Sequence, residues 1–145
     1  MRRSFSVLVA LTLVLPLFSA CRREGDVLVG QWQGTDFENG RQTFHFQKDG
    51  TARWKLEFED KSQTFDLGYK LDTVPRPWHL DLTGFTTGPL AGAALLCIVE
   101  VSKDGEQTPD ALQLECWPGR PDSKDSPRPQ AFGPQTVKCR RMSPV

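Results

Sequence analysis

The sequence has no excess of charge of either sign, because 18 Lys and Arg residues balance 18 Asp and Glu residues. Arg2 and Arg3 lie in the N-terminal leader, and without them 16 basic residues stand against 18 acidic ones. A chain with this balance lacks the positive surface that nucleic-acid binding requires. We therefore expect no nucleic acid among its partners.

Catalytic motifs and metal ligands are equally scarce. The chain has no Gly-x-Ser-x-Gly, no phosphate-binding glycine loop and no His-Glu-x-x-His. His45 and His79 alternate with apolar neighbours and are predicted to face solvent. His79 and Asp81 share a face, but two such groups do not make a metal site, and Glu57 and Glu59 are expected to be solubilising charges. We predict no catalytic residue, no metal and no cofactor, and rank an enzyme last.

One long apolar run is present, at residues 7–18, and it is shorter than the roughly 20 residues that span a bilayer. A basic start before it and small residues after it are typical of a secretory signal peptide. The exit Ser19-Ala20-Cys21 resembles a bacterial lipobox, in which the cysteine thiol is lipidated before cleavage. Phe18 replaces the usual leucine. The alternative is an ordinary signal peptide followed by a chance cysteine.

This leader predicts an exported protein that is held at the cell envelope by acyl chains on Cys21. Each buried methylene contributes about 0.8 kcal/mol to such an anchor. If the host has two membranes, the resemblance to sorted lipoproteins favours the outer one. The predicted organisation is a signal peptide at 1–20, a lipidated tether at 21–27, a folded domain at 28–142 and a tail at 143–145.

The rest of the chain alternates polar and apolar residues with period two, which predicts strands. No stretch has a helical period. We predict about eight strands, at residues 28–35, 42–47, 51–59, 63–72, 78–83, 95–102, 111–117 and 135–142. Short connections favour an all-β, antiparallel up-and-down meander that closes into a barrel and so removes its edges. A two-sheet sandwich is the alternative.

The opening of the first strand, Gly30-Gln31-Trp32, resembles the Gly-x-Trp signature of the lipocalins and related calycins. In that family the tryptophan packs across the closed end of the barrel, beneath a basic residue from the last strand. The resemblance implies that Arg140 or Arg141 takes this role. A cation over an indole ring contributes about 0.5–2 kcal/mol.

Three further segments resemble an uncharacterised lipocalin-like domain family that is common in planctomycetes and other large-genome bacteria. The match covers most of residues 28–142, and the region between the first two strands is shorter here than in that family. The resemblance implies a fold but no activity. The segments are Leu80-Asp81-Leu82-Thr83 with Thr87-Gly88-Pro89 and Gly92; Ile98-Val99-Glu100-Val101 with Asp104-Gly105 and Leu112-Gln113-Leu114-Glu115-Cys116; and Pro118-Gly119-Arg120-Pro121 with Arg128-Pro129 and Phe132.

Export favours oxidation of the three cysteines that remain after lipidation, Cys97, Cys116 and Cys139. Cys116 and Cys139 are expected on neighbouring strands with both side chains inward, which makes their bridge the preferred one. The other two pairings stay open, as does the alternative that all three thiols are buried apolar fillers.

Aromatic residues and one long loop are candidates for a binding cavity. Trp54, Trp78 and Trp117, together with Trp32, are candidates to line it, and the alternative is a packed core. The proline-rich loop at residues 118–134 is predicted either to cap one barrel mouth, with Phe132 as a plug, or to be a surface excursion.

These features predict a membrane-anchored lipoprotein with a lipocalin-like barrel that binds a small apolar ligand or an envelope partner without catalysis. The alternative is a structural or assembly lipoprotein with a filled core. An open apolar pocket of about 300 Å³ or more favours ligand binding, whereas a core packed to the axis favours assembly.

Overall fold

The computed structural model describes residues 24–36, 38–102 and 110–143. Within these residues, eight strands form one closed antiparallel barrel in sequence order. The prediction of an all-β, eight-stranded up-and-down barrel is confirmed, and the sandwich is wrong. The strands are β1 (Gly30–Thr35), β2 (Arg41–Phe46), β3 (Thr51–Phe58), β4 (Lys61–Asp72), β5 (Trp78–Thr83), β6 (Ala94–Ser102), β7 (Ala111–Gly119) and β8 (Val137–Arg141).

The predicted faces follow from the alternation along each strand, because successive side chains point to opposite sides of a sheet. Phe44 and Phe46 are buried inside the barrel, and His45 between them lies on the outer wall. The inner face of each of the eight strands contributes to one core. Its most buried members are Leu28, Trp32, Phe44, Phe46, Leu80, Leu82, Cys97, Val99, Leu112 and Leu114.

The two ends of the barrel differ in what covers them. At the closed end, a short 3-10 helix, Glu24–Leu28, lies across the start of β1; we call it the N-terminal plug. The turns at residues 47–50 and 73–77 lie at the same end. The open end carries the loops at residues 36–40, 84–93 and 120–136, which include a second 3-10 helix, Gly88–Leu90.

The observed strands begin or end up to two residues away from the predicted bounds. β1 begins at Gly30, since Leu28 belongs to the plug, and residues 24–27 of the predicted tether belong there too. β4 begins at Lys61, because Glu59 adopts a φ of 53° and allows a tighter turn. The signal peptide, Cys21 and Asp104-Gly105 lie outside the described residues.

The preferred disulfide is wrong: Cys97 pairs with Cys116, and Cys139 keeps a free, buried thiol. The strand register explains the difference. Cys97 and Cys116 are direct partners across β6 and β7, with Cα atoms 4.0 Å apart. Cys139 lies opposite Leu112, four residues along β7 from Cys116 and therefore about 13 Å away, beyond the reach of a bridge.

The proline-rich loop is attached to the outer surface of the barrel. Residues 120–136, which we call the strap, contact the outer wall of β5, β6 and β7, while Gln135 lies at the open end. Arg128 forms a salt bridge with Asp81 and donates to the Cys97 carbonyl oxygen at 2.7 Å. Glu115, only 7% exposed, accepts hydrogen bonds from Gly133 N–H at 2.6 Å and the Thr136 hydroxyl at 2.8 Å. These bonds fix the strap against the wall because buried polar groups are costly to leave unpaired.

Candidate functional site

The barrel interior is hollow at its open end, where a cavity of about 310 Å³ lies among inward-facing side chains. Most of the lining is apolar, and the polar part is one carboxylate and two amides. A barrel of eight strands has room for one small ligand in this position. The described residues that line the cavity are Asp36, Gln42, Phe44, Trp54, Leu82, Leu90, Leu95, Leu114, Cys116, Pro118, Gln135 and Val137.

One wall of the cavity is aromatic. Phe44 stacks on Trp54 with ring centroids 5.8 Å apart, and Trp54 stacks on Phe65 at 5.2 Å. Phe85 comes from the loop after β5 and packs edge-on against Phe65 at 5.4 Å. Phe85 is 3% exposed, so this loop is held in place by its own aromatic side chain. The stacked rings give the cavity a rigid apolar surface.

A chain of hydrogen bonds crosses the polar side of the cavity. The Trp54 indole N–H donates to Gln42 Oε1 at 3.1 Å, and Gln42 Nε2 donates to Asp36 Oδ2 at 3.0 Å. Gln42 is only 7% exposed. An indole N–H can only donate and a carboxylate can only accept, so the two neighbours fix which way the Gln42 amide points.

The β1–β2 loop positions the carboxylate of this chain. Asp36 Oδ1 accepts the backbone N–H groups of Glu38 at 2.9 Å and Gly40 at 2.8 Å. A Cβ atom on residue 40 would lie 2.8 Å from Asp36 Oδ2, closer than real contacts allow, so glycine is required for this approach. The carboxylate is therefore held rigidly by the turn that follows β1.

The Gly-x-Trp signature lies at the other, closed end. Trp32 is fully buried, and its indole N–H donates to the Leu28 carbonyl oxygen at 2.8 Å. The Arg141 guanidinium carbon lies 4.1 Å from the centre of the Trp32 ring. Arg141 also donates to the carbonyl oxygens of Val29 at 2.8 Å and Val27 at 2.6 Å. Trp32 and Arg141 together fasten the N-terminal plug.

Gly30 makes room for this arrangement. Its φ is +129°, a conformation that side chains rarely adopt, and a Cβ atom there would lie 2.5 Å from Arg141 Nη1. Of the two candidate arginines, the structure places Arg141 over the ring. Arg140 points outward from β8 and contacts Asp110 at 3.3 Å on the surface.

Of the four tryptophans predicted to line a cavity, Trp54 lines the one at the open end and the other three do not. Trp78 lies at the closed end, 5.2 Å from the Arg76 guanidinium carbon. Trp117 is 38% exposed on the outer wall. Its neighbour Cys116 faces inward, so the alternation of β7 already places Trp117 outside.

His45, His79 and Glu57 lie on the outer wall as expected, whereas Glu59 is exposed in the turn after β3. Glu57 contacts Lys55 at 2.9 Å, and this contact lowers the pKa of the glutamate. His79 lies beside Arg128 of the strap. The pKa of its imidazole is lowered, first by burial and next by the Arg128 charge.

Burial raises the pKa of the Cys139 thiol to about 12. A thiol with this pKa is protonated at neutral pH and a poor nucleophile.

Sequence reasoning missed Asp36, Gln42, Leu90 and Gln135 as lining residues. Gln42 carried a signal, since it shares a strand face with Phe44 and Phe46 and is thus a polar residue directed into the core. Asp36, Leu90 and Gln135 belong to loops, where no periodicity indicates direction.

No protein-family model, curated protein or solved structure matches this chain. Across the described residues, no helix is long and apolar enough to cross a membrane. The same part of the chain contains no group of three or more His, Cys, Asp or Glu side chains arranged to hold a metal ion.

Proposed function

We propose that this chain is an exported lipoprotein whose lipocalin-like barrel binds a small apolar ligand through its open end, without catalysis. The observation that carries the proposal is the cavity of about 310 Å³ with its largely apolar lining. Small-molecule sites typically have volumes of about 300–1,000 Å³ and a few placed polar groups. A purely structural barrel with a core packed to the axis would have no such space, so the cavity favours ligand binding over assembly.

The position of the N-terminal plug supports a barrel that stands on a membrane with its open end outward. The plug begins at Glu24, three residues after Cys21, and covers the closed end. Three residues span at most about 11 Å. Acyl chains on Cys21 would therefore keep the closed end near the lipid headgroups, and a ligand would enter from the aqueous side.

Titration of the purified domain, residues 22–145, with a neutral fluorescent apolar probe tests ligand binding. We expect saturable binding to one site, with a change in Trp54 emission because Trp54 lines the cavity. Val137→Phe adds a ring inside the cavity and is expected to weaken binding at least about tenfold. Val74→Phe is the matched control, because Val74 is 89% exposed on a turn. Absence of saturable binding, or equal loss in both variants, contradicts the proposal.

Metabolic labelling with radioactive palmitate tests the anchor separately. The full chain is expected to take up label, and Cys21→Ala is expected to abolish it. Cys139→Ala is the control, since its thiol is buried in the barrel and should not affect labelling. If the Cys21→Ala protein still carries label, the lipoprotein assignment is wrong, whatever the cavity binds.

A further inference from the structure

The charge of the open-end cavity restricts the chemistry of its ligand. Of the twelve described residues that line it, Asp36 alone carries a charge. The two amides, Gln42 and Gln135, are neutral, and the remaining lining is apolar apart from the sulfur of Cys116. The cavity therefore presents one fixed negative group against an apolar surface.

The N–H groups that orient this carboxylate are all neutral, so they do not neutralise its charge. Its two oxygens accept three hydrogen bonds, from Glu38 N–H, Gly40 N–H and Gln42 Nε2. An ionised carboxylate has about four acceptor positions, so about one remains. None of the salt bridges found among the described residues includes Asp36.

The side-chain amide of Gln42 cannot flip so that its nitrogen, rather than its oxygen, faces the Trp54 indole. Such a flip would set a nitrogen donor against the Trp54 N–H and an oxygen acceptor against the Asp36 carboxylate, losing both bonds at once. The polar side of the cavity is thus preorganised around a negative charge. Partial exclusion of water strengthens the effect of that charge on a bound group.

We propose that the cavity binds amphiphilic amines, in which an apolar chain or ring carries a protonated amino group, and discriminates against carboxylates of the same size. This inference rests on the proposed function, because it assigns a head-group preference to the same cavity. The ammonium donates to the remaining acceptor position of Asp36, and the apolar part lies along Trp54, Leu82 and Leu114. A carboxylate in that position meets a like charge that no nearby lining cation offsets.

Three probes of equal chain length separate charge from apolar contact: octylamine, octanol and octanoate. Each is titrated calorimetrically into the domain comprising residues 22–145 at neutral pH and low salt. We expect octylammonium to bind about tenfold or more tightly than octanoate, with octanol between them. Raising the salt concentration is expected to shrink the ratio of amine to carboxylate affinity while leaving octanol affinity nearly unchanged.

Asp36→Asn removes the charge with little change of shape and is expected to reduce the amine-to-carboxylate ratio to about threefold or less. Asp66→Asn is the matched control: it removes the same charge from the outer wall of β4, where the Asp66 side chain is 75% exposed, and should leave the ratio unchanged. Thermal unfolding of both variants checks that they remain folded. Should Asp36→Asn not fold, the three-probe comparison and its salt dependence in the unaltered protein still decide the matter.

The outcomes separate the two proposals. If none of the three probes binds, the proposed function fails. If octanol binds but octanoate equals or exceeds octylamine, ligand binding stands and the amine preference is overturned. An amine preference that persists in folded Asp36→Asn, or that Asp66→Asn reduces equally, also overturns it, because the charge would not act through Asp36.

Discussion

The same eight strands build a closed end that is centred on a fully buried tryptophan beneath a plug, and an open end that holds a largely apolar cavity. At the closed end, Trp32 is fully buried beneath Arg141, and both side chains bond to carbonyl oxygens of the N-terminal segment. At the open end, Gln42 and Asp36 form a hydrogen-bonded chain beside a cavity of about 310 Å³. The Trp32 and Arg141 donors thus fasten the N-terminal segment, whereas the Gln42 and Asp36 groups lie beside the cavity.

This difference indicates that the two ends of the barrel contribute differently to stability and to recognition. Burial of large side chains against a tight plug contributes strongly to stability, because interiors are close-packed and removing atoms leaves voids. A cavity contributes little to stability, since its lining lacks contacts on one side. The closed end should therefore carry much of the free energy of unfolding, and the open end should tolerate changes that alter recognition.

The largest expected effect comes from removing the ring at the centre of the closed end. Trp32→Ala deletes a fully buried indole and its bond to Leu28, and is expected to lower the free energy of unfolding by about 3–5 kcal/mol. Chemical denaturation measures the change. Trp117→Ala, at an indole 38% exposed on the outer wall, is the control and should cost much less. Equal losses would mean that the two ends do not differ as described.

A smaller effect is expected from the cation that covers this ring. Arg141→Gln removes the contact with Trp32 and the charged donors to Val27 and Val29, and should cost about 2–3 kcal/mol. Arg140→Gln is the neighbouring control. Its side chain is 66% exposed, and surface ion pairs contribute about 0–1 kcal/mol. The comparison uses the same denaturation assay, and a loss in Arg140→Gln as large as that in Arg141→Gln contradicts the assigned roles.

Much of the barrel could be predicted from the sequence, because alternation identifies both the strand and its inner face. His45 was predicted to face solvent on this basis, and the structure places it on the outer wall between the buried Phe44 and Phe46. Alternation does not give register, however, and register decides which cysteines meet. That is why Cys97, opposite Cys116, was not preferred over Cys139.

The candidate site was less predictable, because two of its three polar side chains belong to loops, where no periodicity indicates direction. Asp36 is directed into the cavity by two backbone N–H groups of its own loop, a local geometry that periodicity does not reveal. Phe85 likewise reaches the core from a loop rich in glycine and proline. The strap was recognised as an unusual segment, but its course along the outer wall depends on the pairing of Arg128 with Asp81, which are far apart in the sequence.

The smallest expected effect on stability is the sharpest test of the comparison, because the same kind of addition is made at both ends. Val137→Phe places a ring in the cavity, where space exists, and should change the free energy of unfolding by less than about 1 kcal/mol. Ala52→Phe places a ring at the closed end. Ala52 is 4% exposed, and its partners across the sheet are Phe46 and Leu67.

Overpacking at such a site typically costs about 1–3 kcal/mol, since neighbouring side chains must leave their preferred rotamers. Denaturation of the two variants under identical conditions therefore should give a clearly larger loss for Ala52→Phe. If Val137→Phe is the more damaging change, the open end is packed as tightly as the closed end. A cavity that cannot accept a phenyl ring would also be too small for the apolar ligand proposed for it.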